Sequence, residues 1–259
     1  MIRHIVPLFH DNIGMQPTPF RKIFELRIPT ECRMKTPVIV INFKAYPESL
    51  GMHAIRLARM AEDISKETGV NLCVAPQWVD LRSVASQVQI PVFAQAVDSA
   101  VSGSFTGSNT IEAAKDALAD GMLVNHSERR ITLSLMSEIV SAAKTSGLVS
   151  IVCADTPKAT AAACALNPDF VAIEPPELIG TGIPVSKAKP EVVTKAIEKV
   201  KSLNSLSKVI CGAGISTEED VAAALRLGTV GVLLASGVVR AKDPQSVMLR
   251  MAIATGAKE

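Results

Sequence analysis

Across 259 residues, 27 lysines and arginines nearly balance 25 aspartates and glutamates, leaving a net charge of +2. So even a balance speaks against a nucleic-acid or membrane-surface partner, and no apolar run is long enough for a membrane-spanning helix. With 48% apolar residues but only 3% aromatics, the core has to be filled by Ala, Val, Ile and Leu.

Residues 1–33 stand apart. Pro7, Pro17, Pro19 and Pro29 interrupt them, their apolar residues follow no period, and Asp11, Glu25 and Glu31 sit among the arginines. Neither an organellar transit peptide nor a secretory signal has this composition. Met34-Lys35-Thr36-Pro37 runs directly into a strand, so residues 1–33 read as an N-terminal extension, disordered or the product of an upstream start codon.

From Pro37 the pattern alternates. Residues 38–41 form an unbroken apolar run, as expected of a strand covered on both faces, and Ala54, Leu57, Ala58, Ala61 and Ile64 recur at helical spacing up to a stop at Gly69. A second strand over 71–75 precedes a helix starting near Trp78, and 92–94 is a third strand. A Gly- and Ser-rich loop over 98–109 follows. The fourth strand, 121–124, leads to a helix with Ile131, Leu135, Ile139 and Ala143 on one face; the fifth, 149–153, leads to a helix opened by Thr156-Pro157.

The sixth strand, 171–174, ends on Glu174, and Pro175-Pro176 and Gly180-Thr181-Gly182 follow before a helix bearing Val193, Ala196, Ile197 and Val200. Strand seven covers 208–211, and Ser216 with Glu219 predicts a capping box for its helix. Strand eight covers 229–234, and a last helix includes Val247 and Leu249. Eight strand–helix units with no linker predict one parallel (β/α)8 barrel over residues 34–259, with a doubly wound open sheet as the alternative. Cys73, Cys153 and Cys211 fall in strands; with Cys32 and Cys164 they lack metal-type spacing, so they read as reduced apolar thiols of a cytoplasmic protein, with no metal site.

A barrel places its chemistry at strand C-terminal ends. His126 is the histidine there, ahead of Ser127-Glu128-Arg129-Arg130, where a helix is expected to begin. A ring at a helix N-terminus meets free N–H groups, which favours its neutral, hydrogen-bond-donating form; the alternative is a histidine that merely satisfies backbone groups. Among the carboxylates, Asp155 reads as part of a helix cap and Asp98 as a solvated loop residue. Glu174 is held by two prolines beneath a glycine-hinged loop, as a base under a lid would be; its plainer reading is a carboxylate paired with an arginine. Asn42-Phe43-Lys44 brings a cation to the mouth. Cys211-Gly212-Ala213-Gly214 and Ala235-Ser236-Gly237 follow strands seven and eight, where barrels bind phosphate with backbone N–H groups.

Taken in order, Asn42-Phe43-Lys44, Asn125-His126-Ser127-Glu128-Arg129-Arg130, 174–182, Gly212-Ala213-Gly214 and Ala235-Ser236 resemble the triosephosphate isomerase family, most closely its compact archaeal branch. The resemblance covers the chain from about Pro37 onward. It implies a cofactor-free, metal-free aldose–ketose isomerase of glycolysis and gluconeogenesis. In that family's terms Glu174 is the base, His126 the electrophile and Lys44 the substrate-binding cation beside Asn42, with Glu128 supporting the lysine. Ile179, Gly214, Ala235 and Ser236 offer backbone N–H groups to the phosphate. Thr106 lies at the tip of a loop that in the family enters a neighbouring subunit, which implies a homo-oligomer, dimer or tetramer. The chain departs from the commoner pattern at Phe43, Asn125, Glu177-Leu178 and Ile183. A pentose-phosphate epimerase, a biosynthetic synthase and a non-catalytic barrel are the alternatives.

Overall fold

Eight strands form where the apolar runs predict them: β1 (Val38–Asn42), β2 (Asn71–Ala75), β3 (Phe93–Ala94), β4 (Gly121–Val124), β5 (Val149–Ala154), β6 (Phe170–Ile173), β7 (Lys208–Cys211) and β8 (Gly231–Leu234). All neighbours pair in parallel in the order β2-β1-β8-β7-β6-β5-β4-β3. A single bridge from Val74 to Val92 joins the two ends, so the sheet curls into a barrel. The structure, a computed structural model, describes residues 34–98, 102–179, 183–203 and 205–256. The segment 1–33, with Cys32, and Gly180-Thr181-Gly182 lie outside the described residues.

Helices α1 (Met52–Thr68), α2 (Leu81–Ala85), α3 (Ile111–Asp116), α4 (Leu133–Thr145), α5 (Pro157–Cys164), α6 (Val185–Ala188), α7 (Pro190–Ser202), α8 (Glu218–Arg226), α9 (Ser236–Val239) and α10 (Pro244–Ile253) connect the strands. Strand alternation divides the core in two. Val40, Cys73, Phe93, Ile151, Phe170 and Ile210 pack inside the barrel, while Ile39, Ile41, Leu72, Val74, Val152 and Val171 pack outward among the helices. With so few aromatics, branched aliphatic side chains carry both layers.

Local signals decide where elements begin. Gly69 ends α1 in a left-handed conformation, φ 69°, with its N–H on the Ser65 carbonyl. Thr156 caps α5 ahead of Pro157, so Asp155 is not the cap; its carboxylate instead lies 3.4 Å from Arg130 Nη2. The capping box of α8 is one residue later than Ser216 and Glu219 predict. Thr217 accepts the Asp220 N–H while Asp220 accepts the Thr217 N–H, because Thr217 takes the extended backbone that a cap needs. Ile131 lies ahead of α4: Thr132 caps that helix, and its buried face is Met136, Ile139, Val140 and Ala143. Pro190, at the first turn of α7, divides that helix from the short α6.

Gly121 opens β4 at a point of close approach. A Cβ there would lie 2.3 Å from both the Phe93 ring and the Val149 carbonyl oxygen. Gly121→Ala is expected to lower the unfolding free energy by about 1–3 kcal/mol, measured by urea denaturation; an unchanged midpoint would show that the barrel wall yields there.

Candidate active site

The first arm of the site grows from β1. Val38, Val40 and Asn42 alternate inward, and the chain then turns at Lys44, whose φ of 48° is unusual for a residue with a side chain. Two amides hold that turn. Asn42 Oδ1 accepts the Lys44 N–H at 2.9 Å, and Gln95 Nε2 donates to the carbonyls of Lys44 and Ala75 at 3.0 Å each, with Asn42 Oδ1 at 3.3 Å. The result aims Lys44 across the mouth, where its Nζ meets Glu128 Oε1 at 2.7 Å.

His126 follows β4 and is 8% exposed. No helix begins there, contrary to the expectation; residues 127–129 form a turn in which the Arg129 N–H bonds the His126 carbonyl at 2.8 Å, and α4 waits until Leu133. The effect expected of a helix end comes instead from one turn amide: the Glu128 N–H donates to His126 Nδ1 at 3.2 Å. With Nδ1 accepting, the neutral ring carries its proton on Nε2, which faces the pocket. Burial, with the Lys44 charge adding to it, lowers the imidazole pKa from 6.5 to about 4. Asn125 adopts φ 59°. Its side chain donates to the Cys153 carbonyl at 2.9 Å and accepts the Ile131 N–H at 3.1 Å. An asparagine tolerates that backbone and braces the turn, which glycine cannot do.

Glu174 lies one residue beyond β6, its N–H on the Ala154 carbonyl at 2.7 Å. The residue is 1% exposed, and among the described residues no arginine pairs with it. Among the described residues Oε2 has no hydrogen-bond partner, and Oε1 lies 3.9 Å from His126 Nε2. Burial raises its pKa from 4.5 to about 7, against the pull of the Cys153 thiol and the Lys44 charge. The carboxylate fits only because residue 212 is glycine. A Cβ on Gly212 would lie 2.5 Å from Glu174 Cγ and 2.7 Å from Oε1.

Lys44, His126 and Glu174 line one open pocket of about 50 Å³ together with Asn42, Tyr46, Ile179, Gly214, Ser216, Ala235 and Ser236. Gly214 has φ 72° and Ser236 opens α9, so the loops after β7 and β8 both border this space. Glu128 supports the site from outside the pocket through Lys44. Thr106 lies elsewhere, in an exposed stretch over 102–107. Asp98 is not simply solvated: it pairs with Arg129 and accepts the Asn109 N–H at 2.9 Å, closing the base of that loop. Among the described residues no group of three or more His, Cys, Asp or Glu side chains could hold a metal ion, and no helix is long and apolar enough to cross a membrane.

A family model described as triosephosphate isomerase matches residues 37–253. The chain belongs to the triosephosphate isomerase family. Relatives bearing that name include a protein of Methanothermus fervidus, 54% identical over 215 residues, which are 83% of this chain and 97% of the relative. Another, from Methanosarcina acetivorans, is 51% identical over 215 residues, 83% of this chain and 97% of the relative. A third, from Methanocaldococcus jannaschii, is 51% identical over 211 residues, 82% of this chain and 96% of the relative. Family resemblance in the sequence pointed to the pocket but not to all of its parts. Tyr46 and Gln95 escaped it, and the space that Gly212 leaves for Glu174 emerges only once the carboxylate is placed.

The two titrating groups affect stability with opposite sign. Glu174, raised from 4.5 to about 7, contributes stability that is full below 4.5 and is lost as pH rises through 7; His126, lowered from 6.5 to about 4, contributes stability present above 6.5 and lost as pH falls through 4. In wild-type protein the two trends oppose each other. Relative to wild type, Glu174→Gln is expected to gain about 3 kcal/mol of stability between pH 4.5 and pH 7. Urea denaturation at several pH values measures this, and parallel profiles for the two proteins would contradict the assigned burial cost.

Proposed function

We propose that the chain interconverts D-glyceraldehyde 3-phosphate and dihydroxyacetone phosphate through an enediolate, the isomerase step of glycolysis and gluconeogenesis. One observation carries the reading: a desolvated carboxylate, Glu174, faces the N–H-bearing nitrogen of a neutral histidine, His126, at 3.9 Å. A substrate lying across both groups can place its carbonyl oxygen against Nε2 and the adjacent carbon against the carboxylate. Glu174 takes the proton from the carbon, His126 Nε2–H donates to the oxygen as negative charge develops, and Lys44 offsets that charge. Glu174 then returns the proton to the neighbouring carbon, while His126 moves a proton between the two oxygens. Every proton removed is replaced, so neither redox partner nor cofactor enters the balance.

Asn42 and Lys44 hold the reacting end, and the N–H groups of Ile179, Gly214, Ala235 and Ser236 hold the phosphate. Binding at that second point fixes the carbon chain relative to the base. Residues 34–259 form the catalytic domain in this reading, with 1–33 an extension to it. A homo-oligomer, dimer or tetramer, accounts for the exposed Phe105 and Thr106 at the tip of the 98–109 loop, and the free buried thiols fit a cytoplasmic location.

Glu174→Gln is expected to lower kcat by about 10²- to 10⁴-fold with little change in KM, measured in a coupled assay with glyceraldehyde 3-phosphate. Near wild-type turnover would refute the base assignment. Gly212→Ala, which crowds the same carboxylate, is expected to lose kcat in the same direction while Glu174 remains. Light scattering after gel filtration should give a mass of at least two chains, and Thr106→Arg should lower it.

A further inference from the structure

Asp220 makes more bonds than a helix cap requires. It is 2% exposed and sits third in α8. Oδ2 accepts the Thr217 N–H at 3.0 Å, as the capping box demands, but also the Ser216 N–H at 3.1 Å. Oδ1, which the cap leaves free, lies 2.6 Å from Lys187 Nζ. The three partners come from different places. Ser216 lines the pocket, Thr217 opens α8, and Lys187 belongs to α6, just past the loop that follows Glu174.

A second contact joins the same two segments. A Cβ on Gly214 would lie 1.9 Å from the Ile183 carbonyl oxygen and 2.7 Å from Pro184 Cα. The chain entering α6 therefore presses directly on the loop after β7. That loop presses in turn on α9, since a Cβ on Gly237 would lie 2.9 Å from Ser216 Cα. Movement of α6 cannot leave the phosphate loops where they are.

We propose that Asp220 is a positioning residue that couples Lys187, at the outgoing root of the lid, to the backbone N–H groups that hold the substrate phosphate. The coupling rests on the isomerase reading for its substrate, and its geometry is independent of the chemistry at Glu174. Lys187 pulls on Oδ1, Oδ2 holds the 216–217 amides, and Gly214-Ile215 are thereby kept in register with α6. Part of the affinity for phosphate is thus set by a lysine that does not line the pocket.

Lys187 is half-exposed, so Lys187→Met leaves the fold intact; Asp220→Asn keeps a side chain able to cap while removing the ion pair. The two single variants and the double variant are compared with wild type by calorimetry with inorganic phosphate, by KM and kcat for glyceraldehyde 3-phosphate, by turnover of phosphate-free D-glyceraldehyde, and by thermal midpoint. Lys187→Met is expected to weaken inorganic phosphate and raise KM by about 3- to 10-fold, with D-glyceraldehyde turnover unchanged. The double variant should be no worse than Asp220→Asn alone. Unchanged phosphate affinity, an equal loss toward D-glyceraldehyde, or multiplying effects in the double variant would each overturn the coupling. Wild-type protein that binds inorganic phosphate without isomerising refutes the isomerase reading alone, and the calorimetry still judges Asp220; wild-type protein that binds no phosphate overturns the coupling itself.

Discussion

The site depends on keeping one carboxylate out of water. A buried acid with an oxygen that has no partner is costly to ionise, and the surroundings of Glu174 are those that make such a group tolerable and useful. Gly212 gives it room, the Cys153 thiol and Lys44 moderate its pKa, and His126 faces it as a neutral ring rather than as a cation. A protonated histidine at 3.9 Å would form an ion pair and reduce the carboxylate's appetite for a proton. Burial, with the nearby Lys44 charge adding to it, prevents that. In the proposed reaction the lysine therefore offsets charge on the oxygen side of the site while helping to hold the ring neutral.

Two strained backbone positions sit on either side of this pair. Lys44 and Asn125 both have positive φ without being glycine, a conformation that persists only where neighbours hold it. Asn42 and Gln95 hold the first; the second is held by Asn125's own side chain, which ties the turn to β5. In each case the strain aims a functional side chain into the mouth instead of along the barrel wall. The barrel supplies the direction of approach, and these local bonds fix the turns that carry the side chains.

Much of this was readable in one dimension because strands covered on both faces leave unbroken apolar runs, and their ends mark the mouth. Lys44, His126 and Glu174 all fall at such ends, so the barrel rule selected them. Less legible were features that depend on a side chain from a distant strand. Gln95 carries no motif, and its value lies in reaching the turn at Lys44 from just past β3. The loop after His126 looked like a helix start because acidic and basic residues cluster there, whereas the Thr132 cap displaces that start by several residues. Asp155 and Ser216 misled for the same reason. Helix caps are decided by which residue takes the extended backbone, and neighbouring hydroxyls and carboxylates compete for that place over a single residue's shift.

The proposed phosphate site is made mainly of main chain. An N–H group belongs to every residue but proline, so the side chains of Ile179, Ala235 and Ser236 are free to differ in chemistry as long as the loops keep their path. Genetic drift can rewrite the letters of such a recognition surface without changing its meaning. That freedom stops at Gly214, where the left-handed backbone and the Ile183 carbonyl leave no space for a methyl group. Tolerance to mutation across the mouth should therefore be sharply uneven, permissive at most of the proposed anion-facing positions and intolerant at Gly212, which makes room for Glu174, and at Gly214, which touches the chain entering α6.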